Sequence, residues 1–140
     1  MANIKQSGDG LAVQVTRNAR AAGLVDENSD GEATRRAEVW VYGFEGLLVV
    51  VDAVRVSEAD RAELVATAAG DSGSIYGGDV STISPAGNGY QVQLPGATEA
   101  GFLEGDDVTV QPAKGNGLLV IHGGDSSRLA GDLITLRAEQ

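Results

Sequence analysis

Three short blocks occur twice in this 140-residue chain, in the same order, and they restrict it to folds that can be assembled from two similar halves. Gly8-x-Gly10-x-x-Val13-Gln14-Val15 returns as Gly87-x-Gly89-x-x-Val92-Gln93-Leu94. Ala22-Gly23-Leu24-Val25 returns as Ala100-Gly101-Phe102-Leu103, and Gly46-Leu47-Leu48-Val49-Val50 as Gly117-Leu118-Leu119-Val120-Ile121. Two copies are too few for a solenoid, whose units bury their faces against a row of neighbours. The repeat therefore predicts one pseudo-symmetric body.

Local patterns fill in each half. Leu11-Ala12-Val13-Gln14-Val15-Thr16 and Tyr90-Gln91-Val92-Gln93-Leu94 alternate with the period of a half-buried strand. After the first, Arg17-Asn18-Ala19-Arg20-Ala21-Ala22 fits two helical turns with Thr16 as N-cap and Gly23 as terminator, and Arg17 and Arg20 project the same way. Asp26-Glu27-Asn28-Ser29-Asp30-Gly31-Glu32 reads as a polar loop, since it lacks the ordered ligand series of a calcium-binding hand. Glu38-Val39-Trp40-Val41-Tyr42 and Leu47-Leu48-Val49-Val50-Val51 flank a Gly-containing turn, which predicts a hairpin whose second strand is covered on both faces. The second copy offers the same hairpin around Lys114-Gly115-Asn116-Gly117.

Ser57-Glu58-Ala59-Asp60 resembles a capping box and opens a helix through Ala69 that Gly70 should stop. Residues 71–86 read as a linker or surface loop with a short strand over 79–84, and Leu133-Ile134-Thr135-Leu136 as a closing strand. The expected organisation is thus a first unit over 1–70, the linker over 71–86 and a second unit over 87–140, both within one body.

Composition narrows the chemistry. Twenty Asp and Glu against ten Lys and Arg give a net charge of −10, and only Lys5 and Lys114 are lysines. This acidic, Lys-poor, Asp-rich make-up is similar to that of proteins from halophilic archaea. The chain holds no cysteine, which excludes disulfides, thiolate catalysis and Cys-based zinc sites. The absence of a long apolar run and the polar start predict a soluble, cytoplasmic protein without membrane contact. Overall negative charge opposes binding to phosphates, but in molar salt the Debye length is ~3 Å and only local charge counts.

Val13-Gln14-Val15-Thr16-Arg17-Asn18-Ala19-Arg20 resembles the strand-to-helix segment of AbrB-like (SpoVT/AbrB, swapped-hairpin) DNA-binding domains, and Leu103-Glu104-Gly105-Asp106-Asp107-Val108-Thr109-Val110 resembles their Gly-Asp turn before a hairpin. The resemblance implies a mainly β fold with short helices: a pseudo-symmetric cradle-loop β-barrel from two duplicated AbrB-like β-α-β-hairpin units. It also implies that Arg17 and Arg20 face double-stranded DNA. The copies depart from the family pattern in complementary ways. The first keeps the arginines but has Thr16 in place of Pro. The second keeps Pro95, Gly105 and Asp106 but has Gly96 and Glu99 where cations belong.

Arg35 and Arg36 join Arg17 and Arg20 as a local basic concentration able to make bidentate contacts to phosphates or guanine edges. The competing reading pairs these arginines with Asp26, Glu27, Asp30, Glu32 and Glu38. Gly105 and Asp106 are expected to be structural, the glycine for positive φ and the carboxylate for backbone N–H groups. His122, the single histidine, reads as a strand-end residue rather than a ligand or base. These features lead to the expectation of a transcriptional regulator without catalytic residues, metal or cofactor, with homodimerisation open. The alternative is a protein-interaction adaptor that uses the hairpin tip Tyr42-Gly43-Phe44. An enzyme is the third reading, built on His122 or the acidic turn.

Overall fold

Alternating and doubly apolar strands separated by glycine turns produce an antiparallel sheet that nearly closes on itself into a barrel-like body. A computed structural model describes residues 2–8, 10–25, 37–72, 78–86, 89–124 and 126–140. Among these, the strands are β1 (Ala2–Asn3), β2 (Lys5–Ser7), β3 (Gly10–Gln14), β4 (Ala37–Phe44), β5 (Leu47–Asp52), β6 (Asp79–Ala86), β7 (Gly89–Gln93), β8 (Asp107–Ala113) and β9 (Leu118–His122). The helices are α1 (Thr16–Ala22), α2 (Glu58–Ser72) and α3 (Ser127–Glu139). The sheet order is β1-β8-β9-β5-β4-β6-β7-β3-β2.

Its two edges meet at one short segment. β1 pairs with β8 and β2 pairs with β3, and only Ile4 separates β1 from β2. Ile4 ties itself to the Gly-Asp turn by donating its N–H to Asp106 O at 2.9 Å and accepting from Gly105 N at 2.7 Å. Its side chain is 1% exposed and belongs to the inner core.

Both hairpins appear where the sequence predicts them, as β4–β5 and β8–β9. β5 and β9 are buried throughout because they separate two cores. Leu48, Val50, Leu119 and Ile121 point into the barrel, while Leu47, Val49, Val51, Leu118 and Val120 point outward beneath α2 and α3. Leu64 and Ala68 of α2 and Leu129, Ala130 and Leu133 of α3 complete the outer cluster.

The register sets repeated residues opposite their own counterparts. Val13 faces Val92 in the β3–β7 pair, and Val49 faces Val120 in the β5–β9 pair. Equivalent hydrogen bonds also recur within each copy and reciprocally between the two. Leu24 N donates to Ala19 O and Phe102 N to Ala97 O, both at 2.9 Å. Between the copies, Gly117 N donates to Ala22 O at 2.8 Å, and Gly46 N donates to Ala100 O at 2.9 Å.

Three local expectations are corrected. The segment 133–136 is part of α3, not a strand, because Leu129, Ala130 and Leu133 share a helical face buried on β9. α2 begins as expected, with Asp60 N donating to Ser57 Oγ at 3.1 Å, but it passes through Gly70 to Ser72. Thr16 is the first residue of α1 rather than its N-cap, a position held by Val15 without a side-chain cap. The Thr16 hydroxyl instead accepts from Tyr90 N at 2.9 Å and so joins the helix start to β7. The strand expected over 79–84 is present as β6, so part of the span assigned to a linker lies within the sheet.

Candidate nucleic-acid interface

α1 is short, so its position depends on what holds its ends. Ala19 and Ala22 are buried in the barrel core, which leaves Arg17 and Arg20 on the exposed side. Gly23 terminates the helix at φ 74°, with its N–H bonded to Arg20 O at 3.1 Å. The last carbonyls are satisfied from the second copy, because Gly115 N donates to Ala21 O and Gly117 N to Ala22 O, each at 2.8 Å. Arg55 closes the junction by donating to Gly23 O at 2.7 Å and also to Gly115 O. The helix that carries the candidate arginines is therefore fixed to both halves of the molecule.

Beside its first turn lies a cleft of about 800 Å³ between the N-terminal strands, α1 and β8. Lys5 and Arg17 both line it, together with Asn3, Gln14, Asn18 and Thr109, and its described lining residues include no carboxylate. The nearby Asp107 accepts a hydrogen bond from the Asn3 amide. Arg20 is directed differently from Arg17: its guanidinium lies 5.7 Å from the Tyr90 ring centroid, in a cation–π contact. Arg35 and Arg36 lie outside the described residues, as does the acidic loop at 26–32 with which the competing reading pairs them.

Other cations have structural roles. Arg137 bonds Asn116 O at 2.9 Å and pairs with Asp60 at 3.4 Å, so it links α3 to α2 and to the β8–β9 turn. Arg61 lies 5.1 Å from the Trp40 ring centroid. Trp40 is itself stacked on Tyr42, with centroids 6.2 Å apart, so both rings are committed to packing on the outer core. Phe44 is fully buried, while Tyr42, the other ring of the hairpin segment named by the adaptor reading, is half-buried. Among the described residues, cations placed around α1 are Lys5 and Arg17 at the cleft, Arg20 over Tyr90, Arg55 on the Gly23 carbonyl, and exposed Lys114 in the turn that bonds its C-terminus.

The Gly-Asp turn has the geometry of a structural element. Gly105 adopts φ 93°, and Asp106 Oδ2 accepts from Leu103 N at 2.8 Å. Among the described residues no group of three or more His, Asp or Glu side chains could hold a metal ion. No helix among them is long and apolar enough to cross a membrane.

His122 is buried at the end of β9. Its Nδ1 accepts from Gly124 N at 3.1 Å, which leaves Nε2–H to donate to Gln111 Oε1 at 2.7 Å. The Gly124 bond requires the neutral ring, because a protonated Nδ1 cannot accept it, and desolvation by burial holds the pKa below the ordinary 6.5. The unfolded chain therefore binds the proton more readily than the folded one. Stability is expected to fall as pH drops below about 6.5 towards the folded pKa. His122→Gln should flatten that part of the pH profile of the urea midpoint; an unchanged profile would assign the loss to other groups.

Lys5, the cleft and the Arg55 clamp were not anticipated as parts of this region. The first could have been found by extending the repeat backwards, since Ile4 and Ile83 stand at equivalent distances before Gly8 and Gly87. That match marks residues 2–7 as an element of the fold. Comparison with known proteins finds no matching family model, no matching curated protein and no matching solved structure.

Proposed function

We propose that this protein binds double-stranded DNA through the α1 face, as a regulator built from two AbrB-like units fused in one chain. The observation that carries this reading is the placement of Arg17. It stands exposed on a helix locked to both halves, at the rim of a cleft that contains Lys5 and, among the described residues, no lining carboxylate, in a chain with twice as many acidic as basic residues. The fused-dimer reading is supported by the self-opposed residues Val13/Val92 and Val49/Val120 and by the reciprocal bonds between the copies. Copy two has no cation in residues 95–100, the stretch that matches the arginine-bearing helix of copy one, so copy one supplies the binding face and copy two completes the scaffold. The reading assigns binding rather than catalysis to the protein.

Fluorescence anisotropy with mixed genomic duplexes in high potassium salt tests the assignment. Arg17→Ala/Arg20→Ala should weaken binding at least tenfold. If each arginine neutralises one phosphate, it should also lower the slope of log K against log salt by about 2. Equal binding by wild type and the double variant, or no binding by either, removes the DNA assignment.

A further inference from the structure

A duplex phosphate can be gripped from a flat surface, yet beside Arg17 the protein has a recess. We infer that this cleft binds a small phosphate ester of nucleotide size. Its volume of about 800 Å³ falls within the range of small-molecule sites, roughly 300–1,000 Å³. Lys5 and Arg17 stand on its walls, come from separate elements, and supply two positive charges with no carboxylate among the described lining residues. Arginine offers a planar fork for phosphate oxygens and lysine a compact charge.

The remaining polar lining suits the rest of such a ligand. Gln14 and Asn18 each carry amide donors and an acceptor, and Thr109 adds a hydroxyl. Asn3 spends an amide donor on Asp107, which keeps its carbonyl oxygen as an acceptor. In molar salt, attraction beyond ~3 Å is screened, so an anion must be held by direct contact. A recess provides more direct contacts to one small anion than an open face does. Because Arg17 belongs both to this cleft and to the proposed DNA face, the occupant competes with DNA for that residue. Only this regulatory consequence rests on the DNA reading; binding to the cleft does not.

The test is a heteronuclear NMR titration of the full chain in molar potassium chloride, without DNA, using adenosine monophosphate, adenosine and inorganic phosphate separately. Adenosine monophosphate is expected to shift the Gln14 and Asn18 side-chain amides saturably. Inorganic phosphate should shift the same region more weakly, and adenosine should leave it unchanged at equal concentration. Lys5→Gln and Arg17→Gln should each weaken the nucleotide about tenfold while the rest of the spectrum stays folded. No saturable shift, equal binding of adenosine, or full binding by a folded Lys5→Gln protein overturns the inference. A duplex that shifts these amides when the nucleotide does not also overturns it and leaves the DNA reading standing. Nucleotide binding without duplex binding upholds the cleft and removes the DNA reading.

Discussion

Ile4→Ala is expected to lower the unfolding free energy by about 2–5 kcal/mol, and Ile4→Asp to leave the chain unfolded even in molar potassium chloride. The first figure is the usual loss for truncating a buried isoleucine to alanine. It is a large part of the roughly 5–15 kcal/mol that stabilises an ordinary domain. The site makes the upper half of the range the expected one. Ile4 is 1% exposed, its backbone is bonded on both sides to the 105–106 turn, and it joins the strands that hold the two edges of the sheet. A cavity there weakens β1–β8 and β2–β3 together. Ile4→Val should cost only about 0.5–1.5 kcal/mol. Urea unfolding at constant potassium chloride measures all three variants, and a midpoint for Ile4→Ala close to wild type would show that the N-terminal segment does not close the sheet.

Ile4 also shows where the sequence was informative and where it was not. The strands, both hairpins and the doubly buried β5 were legible because period and glycine turns are local signals. The missed closure was not local: a six-residue segment has too little pattern to announce that it pairs with β8 across about a hundred residues. α3 was misread for the opposite reason. Leu133-Ile134-Thr135-Leu136 has β-branched and apolar residues suited to a strand, but the outer face of β9 required a helix to cover Leu118 and Val120. The repeat itself contained the answer, since copy one follows its hairpin with α2.

At the candidate site, sequence showed which residues were unusual but not where they pointed. Arg17 and Arg20 are three apart, a spacing that puts them on one helical side, yet one lines the cleft and the other lies over Tyr90. The difference comes from neighbours supplied by distant elements, with the N-terminal strands and β8 around Arg17 and β7 beneath Arg20. Likewise, nothing near Arg55 in the chain indicates that its guanidinium bonds the carbonyls of Gly23 and Gly115.

Equivalent positions in the two copies need not tolerate the same change, and Gly46 and Gly117 provide the sharper test. Both open the second strand of a hairpin, both have positive φ (75° and 71°), and both donate to an alanine carbonyl of the other copy. Alanine at either costs about 1–2 kcal/mol for the left-handed backbone. At Gly46 that should be nearly the whole effect, because among the described residues an added Cβ would meet only Ser126 Oγ, at 3.7 Å. At Gly117 it would lie 3.0 Å from the Asp52 Cβ. Asp52 has little freedom to move: it is 2% exposed, its N–H donates to Gly117 O, and its Oδ1 accepts from Val54 N and Arg55 N. Overpacking a fixed group adds about 1–3 kcal/mol. Gly117→Ala is therefore expected to cost roughly 2–5 kcal/mol in total, clearly more than Gly46→Ala, in urea unfolding at constant salt. Asp52→Gly/Gly117→Ala should return much of the overpacking cost relative to Asp52→Gly alone, since copy two has Gly123 at the matching position. Equal losses at Gly46 and Gly117 would mean that backbone conformation alone decides, and that the asymmetry between the two halves lies only on the surface.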